Sequence, residues 1–220
     1  MNRIANNIHR IQEELPKTTQ LIVVSKYREI AEIKEAYDAN HRVFAENRIQ
    51  ALLERKELLH NDIEWHLIGH LQTNKVKFIA PFIAMIHSVD SLHLLDEIQK
   101  QAEKNNRNIP CLFQLHLAQE ESKFGIPPSE INHFFEGLKP ENYPNIIFAG
   151  IMSMGSLTDN VELTHQEFAQ AQRLFHEIKS TYFSTVESFK ELSIGMSGDY
   201  QIAIQYGSTM VRIGSLAFRV

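Results

Sequence analysis

Eight short runs of apolar, largely β-branched residues recur along the chain, at 21–25, 42–45, 64–68, 85–88, 110–115, 146–150, 192–194 and 209–213. Their starts lie about 27 residues apart on average, the length that one strand and its returning helix need. The stretches between them are longer and amphipathic. Helices are predicted at 30–37, 47–59, 91–104, 129–137 and 161–179, with an extra helix in front at 2–15 that ends near Pro16. In 91–104, Leu94, Leu95, Ile98 and Ala102 share one face. In 161–179, Leu163, Phe168, Ala171, Leu174, Phe175 and Ile178 recur at three- and four-residue steps. Regular alternation of strand and helix points to an α/β fold with a parallel sheet covered by helices. Eight units, and no glycine-rich dinucleotide loop after the first strand, favour a closed (β/α)8 TIM-type barrel over an open doubly wound sheet. No linker rich in Pro, Gly or Ser interrupts the pattern, so residues 1–220 are expected to form a single domain.

Charge and cysteine usage narrow the partners. The formal net charge is −5 and no basic run of five occurs, which argues against a nucleic-acid binder. Cys111 is the only cysteine, so neither an intrachain disulfide nor a thiolate metal cluster is available, and a reducing compartment suits the chain. The first residues lack the apolar region of a secretory signal. The longest nearly unbroken apolar stretch, 78–86, is too short to cross a bilayer and contains Pro81. The expectation is a soluble cytoplasmic protein, monomeric, with neither membrane nor nucleic acid as partner.

In a parallel barrel, ligands sit where the strands end, because the loops there converge on the axis. Polar residues at the eight predicted ends are therefore the candidates. Lys26 follows the first strand, and Glu46 and Asn47 the second. His66 lies within the third, Ser88 and Asp90 close the fourth, and Gln114 sits near the end of the fifth. Met152 and Ser153 follow the sixth. Gly195-Met196-Ser197-Gly198 follows the seventh, and Arg212, Gly214 and Ser215 close the eighth.

Lys26 alone fits either a solvated strand-end lysine or a Schiff-base lysine. The second role needs a deprotonated amine, which partial burial and cationic neighbours favour. The last two units say more. Residues 193–200 read as strand, turn and helix start, with Ser197 as N-cap and glycines that let backbone N–H groups approach an anion. Gly207-Ser208-Thr209 and Arg212-Ile213-Gly214-Ser215 follow. Two such turns on successive units suit a phosphate monoester, which barrels often hold after strands seven and eight, although tight turns alone also use small residues. Arg212 alternates within its strand, so an inward guanidinium needs a partner. That partner is a carboxylate or a ring nitrogen, which an arginine would keep unprotonated. His66 and His70 are four residues apart, but no Glu follows His66, which disfavours a helical metal pair. The other histidines read as mostly surface residues, Lys123 as a solvated loop charge, and Met152 with Met154 as core or wall.

Several blocks, taken in order, resemble one family. They are Val24-Ser25-Lys26, Phe44-Ala45-Glu46-Asn47, the run from Trp65 to Lys75, Ser88-Val89-Asp90, Glu121-Ser122-Lys123-Phe124-Gly125, the run from Leu192 to Asp199, and the run from Gly207 to Gly214. Together they resemble the pyridoxal phosphate homeostasis protein family, also called the proline-synthetase co-transcribed homologues. The resemblance implies one barrel similar to the N-terminal domain of alanine racemase, that is, fold type III among pyridoxal 5'-phosphate (PLP) proteins. It implies PLP as cofactor on Lys26, Asn47 beside the ring, and His66 bordering the pocket. It further implies phosphate binding by Met196, Ser197, Gly214 and Ser215, with Arg212 near the pyridine nitrogen. Members are associated with intracellular PLP balance, with no firm catalytic reaction.

On this resemblance the expected function is PLP binding for homeostasis without turnover, with PLP-dependent apo-enzymes as acceptors. Alanine racemase draws a second acid/base group from outside its barrel, and this sequence has no length left over for such a domain. One alternative is a small PLP-dependent racemase-like enzyme or deaminase in which Tyr27 or a Ser near Lys26 is the second base. The other is a barrel with a Schiff-base lysine and a phosphosugar substrate, as in class I aldolases. A lysine on the first strand counts against that one.

Overall fold

The first strand lies beside the last, although almost the whole chain separates them, and their pairing closes the sheet. The computed structural model describes residues 3–118 and 124–219. Asn2 at the start of the first predicted helix, Glu121, Ser122 and Lys123 of the fifth family block, and Val220 lie outside the described residues. The strands are β1 (Gln20–Val24), β2 (Val43–Glu46), β3 (Glu64–Leu67), β4 (Met85–Val89), β5 (Ile109–Leu115), β6 (Ile146–Ser153), β7 (Glu191–Met196) and β8 (Met210–Ile213). Each runs parallel to its sequence neighbour, and β8 pairs with β1 from Gln20↔Met210 to Val23↔Ile213. This is the closed eight-stranded barrel predicted from the alternation.

The helices are α1 (Arg3–Glu14), α2 (Ile30–Asp38), α3 (Ile49–Leu58), α4 (Val76–Ile79), α5 (Leu92–Lys104), α6 (Ile131–Gly137), α7 (Val161–Tyr182) and α8 (Tyr200–Gln205). Sequence periodicity missed α4 and gave no extent for α8, whose start the strand–turn–helix reading of 193–200 anticipates. They hold four and six residues, too few for a 3.6-residue repeat to show. None of the helices among the described residues is long and apolar enough to cross a membrane. The extra helix α1 buries Ile4, Ile8 and Ile11, and its Asn7 side chain donates to the backbone oxygens of Ala217 and Arg219.

Strand alternation sorts side chains into two layers. Outward residues such as Phe44, Trp65, Ile86 and Phe113 pack with Leu94, Ile98, Phe168 and Ala171 of the helices. Inward residues Ile22, Val24, Val43, Ala45, Ile68, Leu112, Ala149, Met152 and Met210 form a smaller core inside the barrel, with Met154 packed against it. Between β5 and β6 the register passes from Cys111↔Phe148 to Leu112↔Gly150, so Ala149 is the extra residue of a bulge. Gly150 then has φ of +150°, and a Cβ there would lie 1.9 Å from the Glu191 carbonyl oxygen.

A polar clamp ties the exit of β1 to its neighbours. Glu46, the last residue of β2, is fully buried. The Ser25 hydroxyl and the Arg55 guanidinium of α3 both donate to its Oε1. Arg55 also donates to the Arg28 carbonyl oxygen at 2.9 Å, so one side chain holds both β2 and the turn after β1. Glu46 Oε2 is buried with no partner among the described residues. Burial lifts the Glu46 carboxyl above its ordinary value, opposed by the Ser25 hydroxyl, Arg55 and Lys26.

Two outcomes follow from these contacts. Gly150→Ala forces β6 away from β7 and lowers stability by about 2 kcal/mol or more in denaturant titrations. Arg55→Met leaves a buried carboxyl without its cation and costs about 3 kcal/mol at neutral pH. A carboxyl whose pKa is raised further on folding takes up a proton when the chain folds. The deficit of Arg55→Met is therefore smaller at about pH 5 than at about pH 8, and the Glu46→Gln/Arg55→Met double variant recovers much of it.

Candidate functional site

Lys26 lies in the turn immediately beyond β1, held from behind by the clamp on Ser25. The partial burial expected for it is not found, since the residue is exposed. Its ammonium is close enough to Glu46 to pull that carboxyl downward. Tyr27 follows in the left-handed region, with φ of 64°, which turns the ring out to 74% exposure. The Arg48 guanidinium stands 5.9 Å from the centre of that ring. Asn47, after β2, is half-buried. A Cβ on Gly69 would come within 2.1 Å of the Asn47 carbonyl oxygen, so the turn after β3 supports the turn after β2 at a position only glycine fits.

The turns after β7 and β8 meet at Ser197. Its Oγ accepts the backbone N–H of Gly214 at 3.2 Å and of Leu216 at 3.3 Å. This replaces the N-cap role expected for Ser197. The N-cap of α8 is Asp199, and its carboxylate accepts the Met196 N–H. Burial raises the Asp199 carboxyl above its ordinary value, against that hydrogen bond and the charge of Arg212. Two backbone donors thus converge on one oxygen position, and a Cβ on Gly198 next to it would meet open space. Ser215, between the two donors, is exposed. Gly214 abuts the Val24 carbonyl oxygen, 3.3 Å from where its Cβ would be, which puts this cradle on the same rim as Lys26.

Below the rim, the barrel interior is polar on one side. Arg212 is paired in register with Ile22 and is almost wholly buried. Its guanidinium donates to Ser193 O at 2.7 Å, to Ser193 Oγ at 2.7 Å and to Ser153 O at 2.8 Å. Among the described residues no carboxylate hydrogen-bonds to it. Burial lowers it to about 10, partly offset by Asp199, so it stays a cation at neutral pH. His87 Nδ1 lies 3.2 Å from Ser193 Oγ, and His87 Nε2 lies 3.0 Å from His66 Nδ1. Burial lowers His66 to about 3. His87 is held well below its ordinary value by burial and by the charges of His66 and Arg212. Both rings are therefore neutral.

The predicted site residues divide by location. Ser197 and Gly214 touch directly, and Arg212 and His66 belong to one hydrogen-bonded chain. Lys26, Asn47, Met196 and Ser215 stand at strand exits without a side-chain bond to that set. His70 diverges from His66 into the loop, where it stacks on Phe124 at 3.9 Å and lies 3.5 Å from Asp90. Two of the other histidines depart from the mostly surface character expected of them. His87 is fully buried, and so is most of His41, whose Nε2 lies 2.7 Å from Val43 O and which burial lowers to about 4. His87 and Ser193 are functional candidates that sequence reasoning did not single out. Their signal was the inward phase of β4 and β7, readable only once the phase of each strand is known.

Comparison with known proteins agrees with this geometry. The family model for the alanine racemase N-terminal domain matches residues 1–220. The pyridoxal phosphate homeostasis protein of Aquifex aeolicus is 35% identical over 223 residues, covering 98% of this chain and 96% of that one. Among solved structures, PipY of Synechococcus elongatus without PLP superposes with a TM-score of 0.89 at 32% identity, covering 98% of this chain and 99% of that one. The same protein with PLP bound gives 0.85 at 30%, with the same coverage. Alanine racemase from Bartonella henselae shares the fold, with a TM-score of 0.74 at 17% identity, covering 99% of this chain and 58% of the racemase. By fold, site geometry and these relatives, the chain belongs to the pyridoxal phosphate homeostasis proteins within the alanine racemase N-terminal domain family.

Proposed function

We propose that the protein holds PLP as a Schiff base on Lys26, without catalytic turnover, and serves intracellular PLP homeostasis. One observation carries this reading. A buried arginine with no carboxylate hydrogen-bonded to it among the described residues lies below a cradle of converging backbone N–H groups, on the rim where the lysine sits. Buried charges are ordinarily paired, so Arg212, offset only in part by the charge of Asp199, fits a polar ligand above it. Three of its five N–H donors are used within the barrel, and two remain for that ligand. The Gly214 and Leu216 N–H groups, with Ser197, Ser215 and Met196 around them, fit a phosphate. Asn47 and His66 border the space between.

When bound, PLP supplies an aldehyde and an electron-withdrawing ring. Arg212 remains protonated at neutral pH, so a ring nitrogen facing it gains no proton and the ring is a weak electron sink. Neither candidate second base is placed to serve. The Tyr27 ring points to solvent, and the Ser25 hydroxyl is committed to Glu46. These features favour storage over racemisation. The exposed Lys26 leaves the cofactor within reach of acceptor apo-enzymes. A cytoplasmic monomer suits such a carrier.

Borohydride reduction after PLP addition is expected to leave a pyridoxyl group on the peptide containing Lys26, read by mass spectrometry, and none in Lys26→Ala. A colourless mixture with Lys26 unmodified overturns the reading. Pyridoxal, which lacks the phosphate, is expected to bind at least about tenfold more weakly than PLP, because charge-assisted bonds to the cradle are lost. Solvent-deuterium exchange at Cα of a panel of amino acids is expected to be no faster than with free PLP. Faster exchange points instead to a racemase-like enzyme.

A further inference from the structure

The barrel interior carries a line of side chains that cofactor binding does not by itself require. It runs from Arg212 on β8 to Ser193 on β7, His87 on β4 and His66 on β3. All four residues are buried, and a purely structural barrel fills such positions with aliphatic groups.

The hydrogens of this line can be assigned from its chemistry. Arg212 only donates, so Ser193 Oγ accepts from it at 2.7 Å. The Ser193 hydroxyl then has one proton to place. Among the described residues the acceptor within its reach is His87 Nδ1, at 3.2 Å. A buried hydroxyl left without an acceptor is costly, so His87 Nδ1 is unprotonated and the proton of the neutral ring sits on Nε2. That Nε2–H faces His66 Nδ1 at 3.0 Å and donates to it. His66 in turn carries its proton on Nε2. Every bond therefore runs the same way, from the guanidinium to the His66 ring.

We propose that Ser193 and His87 are positioning residues whose one-way chain of hydrogen bonds fixes the Arg212 guanidinium and locks His66 with an N–H donor at its free nitrogen. This rests on the reading that Arg212 faces a PLP ring, and it adds how that arginine is held without a carboxylate. A carboxylate in the place of Ser193 would neutralise the guanidinium. A hydroxyl fixes its plane and leaves its charge intact. Reversal of the chain would put two donors on the Ser193 oxygen and orphan its own proton. The donor-only guanidinium keeps the line from reversing, and burial keeps both rings neutral, so each has a single proton to place.

The test begins on the full chain without PLP. Nitrogen-15 histidine spectra near neutral pH, with signals assigned through His66→Gln and His87→Gln, are expected to show both rings protonated on Nε2 alone. Ser193→Ala is expected to unlock them, with the Nε2-only pattern of His87 giving way to mixed tautomers. Ser193→Thr, which keeps the hydroxyl, is expected to restore it. PLP titration followed by absorbance is then expected to show at least fivefold weaker binding in Ser193→Ala and recovery in Ser193→Thr. A proton on His87 Nδ1 in the unaltered protein overturns the proposal. So does a Ser193→Ala protein whose tautomers and PLP affinity are unchanged. If the spectra behave as expected while the unaltered protein fails to bind PLP, the PLP reading falls and the bond chain stands.

Discussion

The pairing of β1 with β8 is the constraint on which the rest of the molecule depends. Four residue pairs join the two strands, and Thr19 Oγ1 adds a bond to Ser208 O at 2.8 Å across 189 residues of sequence. Closing so long a loop has a large entropic cost, and it is offset only when the whole sheet and its helices are in place. Once closed, the ring has no free edge, and the exit of its first strand is set beside the turns of its last two. The lysine and the anion cradle come from opposite ends of the sequence and share a rim for this reason.

The same closure creates an inside, and the inside is not uniform. Small and aliphatic residues fill one part of the barrel, while His66, His87, Ser193 and Arg212 fill another. Desolvation of these groups disfavours folding on its own. Their mutual hydrogen bonds offset that cost, and the arginine charge is offset only in part, by Asp199. The clamp of Ser25, Glu46 and Arg55 lies outside the sheet and holds the lysine turn from behind. One polar set thus fixes the floor of the site and the other its wall.

Much of this was legible in the sequence. The apolar runs reported all eight strands to within a few residues, because a strand buried on both faces must be apolar along its length. The five long inter-strand helices showed through their periodicity. The reading of strand ends put Lys26 just beyond β1 and drew attention to Ser197 and Gly214, which are in contact. Other features were hidden for physical reasons. A histidine such as His87 looks the same whether its strand turns it inward or outward, and the phase is a property of the closed barrel. The Arg55–Glu46 pair joins a helix to a strand nine residues away, which no local pattern encodes. The true partners of the Ser197 hydroxyl lie 17 and 19 residues further on, so a local capping rule misassigned it.

The edge of β1 that meets β8 has a further significance during synthesis. A ribosome adding about 5–20 residues per second needs roughly ten to forty seconds between releasing Leu21–Val24 and delivering their partner strand. Over that interval a run of apolar, hydrogen-bond-hungry backbone waits unpaired in a crowded cell. The contact of Ser197 with the Gly214 and Leu216 N–H groups, on the rim beside Lys26, forms only after the last strand has arrived. That rim is then a feature of the finished molecule and of no shorter nascent one.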